Sequence, residues 1–262
     1  SGRANPQEAT VSTVPTPAPR RLIGVGVGPG DPTLTTIKAA LALRAADVVL
    51  VPATEASGDG PGRAELIVAD VAPDARIRRI PFSMADRSGV SDRRKEAWLT
   101  SASAALEEFD GGAQRVAFAT VGDPSVYSTF SYLAAHVVES RQGVEVEVIP
   151  GITAMQALAA ESKTPLVEGQ EILALVPVTV GLDRVRELLG AADTVVAYKG
   201  GRKLPELVRV LREEGRDAVL GVNVSLEGQR LVALDDLTDD ERAPYFSTVL
   251  SAPRRMGTGG AL

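Results

Sequence analysis

The chain has 262 residues, 44% of them hydrophobic and 24% charged, which suits one long or two ordinary globular domains and excludes disorder for the bulk of it. A net charge of −6 with no basic stripe argues against nucleic-acid partners, and no apolar run is long enough to cross a membrane. Without cysteine and with a single histidine, His136, the chain has no disulfide, no thiolate nucleophile and no Cys- or His-based metal cage, so no metal site is expected.

Residues 1–20 are rich in Pro, Thr, Ser and Ala without periodicity and read as a disordered leader; they carry no secretory pattern, and a cytoplasmic location is expected. A strand is predicted over 21–27, running into the glycine-rich stretch from Gly24 to Pro32. Side-chain-free backbone at the carboxyl end of a strand lets a ligand come close. The spacing fits neither a dinucleotide fingerprint nor a phosphate loop, and a tight turn without a ligand stays open. Asp31-Pro32 reads as the start of a helix over 33–45. A strand over 47–51, a helix over 61–71, a short strand over 77–80 and a long helix over 90–109 follow.

The apolar run from Arg115 to Thr120 reads as a buried strand that meets Gly122-Asp123-Pro124-Ser125-Val126-Tyr127, then a helix through Tyr132, Leu133 and Val137. Asp123 is the cap of that helix, a ligand contact or both, and His136, several turns from the loop, reads as a satisfied or half-exposed histidine. Val144 to Ile149 alternates Val and Glu as a strand does, before Pro150-Gly151-Ile152-Thr153-Ala154 and a helix over 154–161. Three strand-to-helix bends carrying Gly-Asp-Pro or Pro-Gly therefore fall on one edge of a parallel sheet, the edge where such sheets bind ligands.

After Thr164-Pro165 strands become frequent, at 170–176, 193–199, 217–225, 229–234 and 246–251, with a hairpin signal at Glu227-Gly228 and helices over 182–190 and 203–214 covering one face. The predicted architecture is two α/β domains with a ligand cleft between them: residues 21–164 around a mostly parallel sheet and 165–251 around a mixed one, then a flexible tail over 252–262.

The ordered set Val25 to Pro32, Val121 to Tyr127 and Ile149 to Ala154 resembles the tetrapyrrole (corrin/porphyrin) methyltransferase family over about residues 21–250. Gly122 to Phe130 with Val196 to Arg202 narrows the resemblance to a branch that methylates a meso carbon. It implies two α/β domains with S-adenosylmethionine in the cleft, S-adenosylhomocysteine as product, a tetrapyrrole substrate and a homodimer. The cofactor positions it implies are Gly28, Gly122, Asp123, Val126, Tyr127, Thr153 and Ala154, then Tyr198, Lys199, Asn223, Val224 and Ser225 in the second lobe. The family often has Met where Lys199 stands. Asp31 is the candidate facing the macrocycle. Its acetates and propionates call for a basic patch, for which Arg76, Arg78, Arg79, Arg87 and Arg93 are available; a solvated charged face is the plainer reading. Another ring carbon, another tetrapyrrole, or a non-catalytic nucleotide- or effector-binding regulatory module stay open.

Overall fold

Five strands open the architecture: β1 (Arg20–Gly26), β2 (Val48–Pro52), β3 (Ile77–Ile80), β4 (Arg115–Thr120) and β5 (Val144–Ile149) pair in parallel in the order β3-β2-β4-β1-β5. The computed structural model describes residues 15–53, 61–81, 90–198, 200–244 and 246–255, without the side chains of residues 90, 91, 93 and 94. Helices cover both faces of this sheet, which is why its inner strands are apolar almost throughout. Leu22, Leu50, Val116 and Phe118 face α3 (Val90–Asp110) and α4 (Phe130–Ser140). Their neighbours Ile23, Val49 and Ala117 face α1 (Ile37–Ala45) and α2 (Arg63–Val71), as the two-residue period of a strand dictates.

From β1 the chain crosses toward β2, whereas from β4 it crosses the other way toward β5, so the winding reverses between the adjacent strands β1 and β4. A crevice opens at such a reversal. Here Gly28 and Gly122, just past the two strand ends, exchange backbone hydrogen bonds of 3.3 and 2.8 Å.

The second sheet contains β6 (Leu173–Pro177), β7 (Thr194–Tyr198), β8 (Val219–Val222), β9 (Arg230–Ala233) and β10 (Ser247–Ser251) in the order β6-β7-β10-β8-β9. Only β6 and β7 pair in parallel. On one face lie α6 (Leu182–Ala191) and α7 (Leu204–Glu213); on the other lies α5 (Ala154–Ser162). Leu158 of α5 is fully buried among Val196, Val224 and Leu250. A Cβ on Gly221 would stand 2.7 Å from a Leu158 methyl, so the bare backbone of β8 lets the helix settle onto the sheet. The expected division after Thr164 falls behind α5, whose buried face is already packed on the second sheet.

Two expectations are corrected. The helix expected over 33–45 is broken: Pro32–Leu34 form a 3-10 turn and Thr36 then caps α1, its hydroxyl accepting from Ala39 N–H at 3.1 Å. Asp31 caps the short turn instead. The strand expected over 217–225 stops at Val222, because Asn223 and Ser225 take φ values of 49° and 64°, outside extended backbone. Within the tail expected over 252–262, Arg255 bonds the Glu171 carboxylate at 2.7 Å and the Pro165 carbonyl at 3.0 Å. Of the expected leader, residues 15–19 are exposed and Arg20 already belongs to β1, while residues 1–14, like 256–262, lie outside the described residues.

Candidate functional site

Three chain bends meet at the carboxyl ends of β1, β4 and β5. A Cβ on Gly151 would stand 2.0 Å from the Gly122 carbonyl oxygen, and one on Gly26 would stand 2.7 Å from both that oxygen and Gly151 N, so backbone packs directly on backbone. Asp123 ties the group together. Its Oδ1 accepts from Ser125 N–H at 2.7 Å and its Oδ2 from Gly151 N–H at 2.8 Å, joining the bend after β4 to the bend after β5. It does not cap the following helix, which begins only at Phe130.

Beside these bends a cavity of about 320 Å³ opens between the lobes, a size that suits a small-molecule ligand. Gly122, with φ 72°, turns the chain along its wall, and a Cβ there would meet nothing closer than 3.9 Å. The bend from Thr120 to Asp123 continues into Val126 and Tyr127, and Thr153 and Ala154 bring the amino end of α5 to the same wall. The second lobe closes it with Tyr198, Val224 and Phe246 to Thr248.

Tyr127 is held at φ 50°, an uncommon conformation for an aromatic residue, with its ring edge-on to Tyr198 at 5.7 Å. The Tyr198 hydroxyl accepts from Met155 N–H at 2.8 Å, satisfying one orphan donor in the first turn of α5. Burial pushes both phenols above their ordinary value of 10.0, so both remain protonated at neutral pH. Gln156 reaches back to accept from the Thr153 N–H at 3.0 Å and from its hydroxyl, bracing the same turn. Across the cavity Arg63 opens α2; its guanidinium lies 4.1 Å from the centre of the Phe246 ring and donates to Asn223 Oδ1 at 3.4 Å. Burial lowers its pKa.

Of the positions expected from the sequence, Gly122, Asp123, Val126, Tyr127, Thr153, Ala154, Tyr198 and Val224 all line this cavity. Asn223 and Ser225 stand behind the wall; the first braces Arg63 and the second accepts at its hydroxyl from Asp31 N–H at 3.3 Å. Gly28 is not among the lining residues: it is bridged to Gly122, and a Cβ on it would stand 3.0 Å from the Leu34 carbonyl oxygen. Asp31 is not on the wall either. Its Oδ1 accepts from the Thr33 N–H at 2.8 Å and hydroxyl at 2.7 Å, bonds that hold its carboxyl below the usual range.

The arginines of the expected basic patch have partners within the chain. On β3, Arg76 and Arg78 are taken up by Glu108 and Glu107 of α3, and Arg79 by Glu65 of α2 at 2.9 Å, so these charges are already neutralised within the chain. Lys199, Arg87 and the side chain of Arg93 lie outside the described residues.

Sequence reasoning missed Pro52, Arg63, Ala64 and the segment Phe246 to Thr248. Pro52 ends β2 and Arg63 follows it in the chain, and the carboxyl end of that strand lies on the same rim, so the rule that found the other bends was sufficient to find them. Phe246 to Thr248 carry no such signal. They reach the cleft because β10 runs antiparallel between β7 and β8, with Thr248 opposite Tyr198 and Gly221.

An interlobe cleft built from side-chain-free bends of a parallel sheet and the edge of a second sheet defines an α/β protein with room for a small molecule between its lobes. Residues 21–238 match the tetrapyrrole (corrin/porphyrin) methylases, and the chain belongs to that family. It is 36% identical over 237 residues to a precorrin-2 C(20)-methyltransferase of Sinorhizobium sp, covering 88% of this chain and 94% of the relative. It is 29% identical over 234 residues to the cobalt-precorrin-2 C(20)-methyltransferase of Salmonella typhimurium, covering 88% and 95%. In fold it matches the uroporphyrin-III C-methyltransferase of Thermus thermophilus, solved with S-adenosylhomocysteine, at a TM-score of 0.63 and 22% identity, covering 88% and 97%.

Proposed function

We propose that the protein transfers a methyl group from S-adenosylmethionine to the C20 meso carbon of precorrin-2, giving precorrin-3A in cobalamin biosynthesis. The observation that carries this reading is the 36% identity to a precorrin-2 C(20)-methyltransferase over almost the whole of both chains.

The cleft suits the methyl donor. Its wall leaves open space beside Gly122, and it offers both a carboxylate and the amino end of a helix, poles that match an amino-acid ammonium and carboxylate. S-adenosylmethionine, when bound, supplies an electrophilic methyl group on a sulfonium. Gly122, Asp123, Val126, Tyr127, Thr153, Ala154, Tyr198 and Val224 are the residues that would hold it. Two N–H donors fix the Asp123 carboxylate and leave it lone pairs for an ammonium or hydroxyl. Both tyrosines are phenols whose pKa burial raises further above the ordinary value of 10.0, so they act as hydrogen-bonding groups rather than as bases. Val126, Val224 and Phe246 add apolar surface to the cleft wall. The protein's part is alignment, which in well-oriented reactions supplies roughly 7–11 kcal/mol of the barrier. A cytoplasmic homodimer completes the proposal.

Calorimetry with S-adenosylhomocysteine, followed by turnover of precorrin-2 with the new methyl located by NMR, tests the reading. Binding with methylation at C20 is expected. No binding, or methylation at another carbon, overturns it, and turnover confined to the cobalt-loaded substrate moves the assignment to that ring.

A further inference from the structure

We propose that Arg63 is the receptor for a ligand carboxylate in the interlobe cleft. The inference rests on the methyl-transfer reading and deepens it. Among the described residues that line the cavity, Arg63 is the only cation and Asp123 the only anion, and the hydrogen bonds of Asp123 go to two backbone N–H groups, not to Arg63. Other arginines of this lobe are ion-paired: Arg21 with Glu145 and Glu147, Arg76 and Arg78 with Glu107 and Glu108, Arg79 with Glu65 and Arg141 with Asp110. No described carboxylate lies within ion-pair distance of Arg63. It is instead set up to receive one. The guanidinium carbon sits over the Phe246 ring, 4.1 Å from its centre, a cation–π contact that holds the side chain at the cleft and takes none of its N–H groups. One of its five N–H groups goes to Asn223 Oδ1 at 3.4 Å, a neutral amide that orients the fork without cancelling its charge. Partly burying a cation without a counter-charge costs free energy, and an incoming carboxylate, bound by the planar fork, offsets that cost.

Both ligands of the proposed reaction bear carboxylates, and the experiment separates them. Arg63→Gln and Arg63→Lys are compared with the wild type for affinity to S-adenosylhomocysteine, affinity to 5′-methylthioadenosine, which lacks the amino-acid carboxylate, and KM for precorrin-2. Loss of a charge-assisted bidentate contact is expected to weaken the affected ligand on the order of tenfold or more, with Lys restoring only part because it cannot form the fork. A raised KM for precorrin-2 with unchanged S-adenosylhomocysteine affinity places a ring carboxylate on Arg63. Weakened S-adenosylhomocysteine with unchanged methylthioadenosine places the donor's carboxylate there. Either result supports the inference. Equal weakening of all three ligands, or no change in any, overturns it. A wild type that binds neither donor nor ring overturns the methyl-transfer reading and this inference together, whereas full wild-type activity matched by Arg63→Gln overturns the inference alone.

Discussion

A methyl group at residue 151 has nowhere to go. It would stand 2.0 Å from the Gly122 carbonyl oxygen and within 3.0 Å of the Gly26 backbone, and neither neighbour is a side chain that can swing aside. Gly151→Ala is therefore expected to destabilise the fold by about 1–3 kcal/mol or more and to weaken S-adenosylhomocysteine, because relief of the clash displaces Gly122 from the cleft wall. Urea unfolding and calorimetry on the same sample check both effects. Gly190 near the end of α6 is the control of opposite sign. A Cβ there meets nothing within 4 Å, so Gly190→Ala should leave ligand affinity unchanged and stabilise by up to about 0.5–1 kcal/mol. Asp123 is a less clean probe of binding. Asp123→Ala also strands the Ser125 and Gly151 N–H groups, so stability and affinity should fall together, and a fall in affinity alone would mean that the staple between the two bends contributes little.

Between elements, the electrostatic tie that holds the outer strand β3 to α3 gives the first lobe a pH signature. Arg76 and Arg78 converge on Glu108, which is mostly shielded from solvent, and hold its carboxyl below its ordinary value near 4.5. The sign follows from that depression: the unfolded chain takes up the proton first, so the contribution is complete above about pH 4.5 and drains away as pH falls through the lower folded-state value. Unfolding midpoints measured at descending pH should fall over that window, and Glu108→Gln should flatten the fall while lowering the plateau at pH 7. An unchanged slope would mean that other carboxylates set the acid limit.

The same elements show what was legible in the chain. Every expected strand exists: the inner ones are short apolar runs covered on both faces, and the edge strand β5 shows itself by alternating Val and Glu, both signals contained in a few adjacent residues. The break at Thr35 and Thr36 was hidden because Asp31-Pro32 is an equally good start for a 3-10 turn and for a helix. Placing α5 required knowing that Gly221, dozens of residues later, leaves room for Leu158. Half of the cleft is a rule about strand ends and was readable. The other half is a product of sheet order, which brings the start of β10 beside Tyr198, and no local pattern announces it.

At the scale of the whole molecule the cleft brings α5, both sheets and Arg63 to a shared boundary, so a ligand there must act on both lobes at once. S-adenosylhomocysteine at a hundred times its Kd adds about 2.7 kcal/mol to stability, which for a chain of this size corresponds to a rise in Tm of roughly 5–10 °C. Where the protection falls is more telling than its size. Hydrogen exchange should slow at the first-lobe rim around Gly122 and Gly151 and also at Tyr198 and Thr248, which face each other across β7 and β10. Leu158→Ala sharpens the comparison, because it removes a fully buried side chain from the helix whose first residue lines the cleft. It should lower stability by about 2–5 kcal/mol, and the ligand should restore part of the loss by holding the amino end of α5 in place. Protection confined to the first lobe, with no ligand rescue of Leu158→Ala, would mean that the donor sits on the rim alone and that the second sheet serves only the ring.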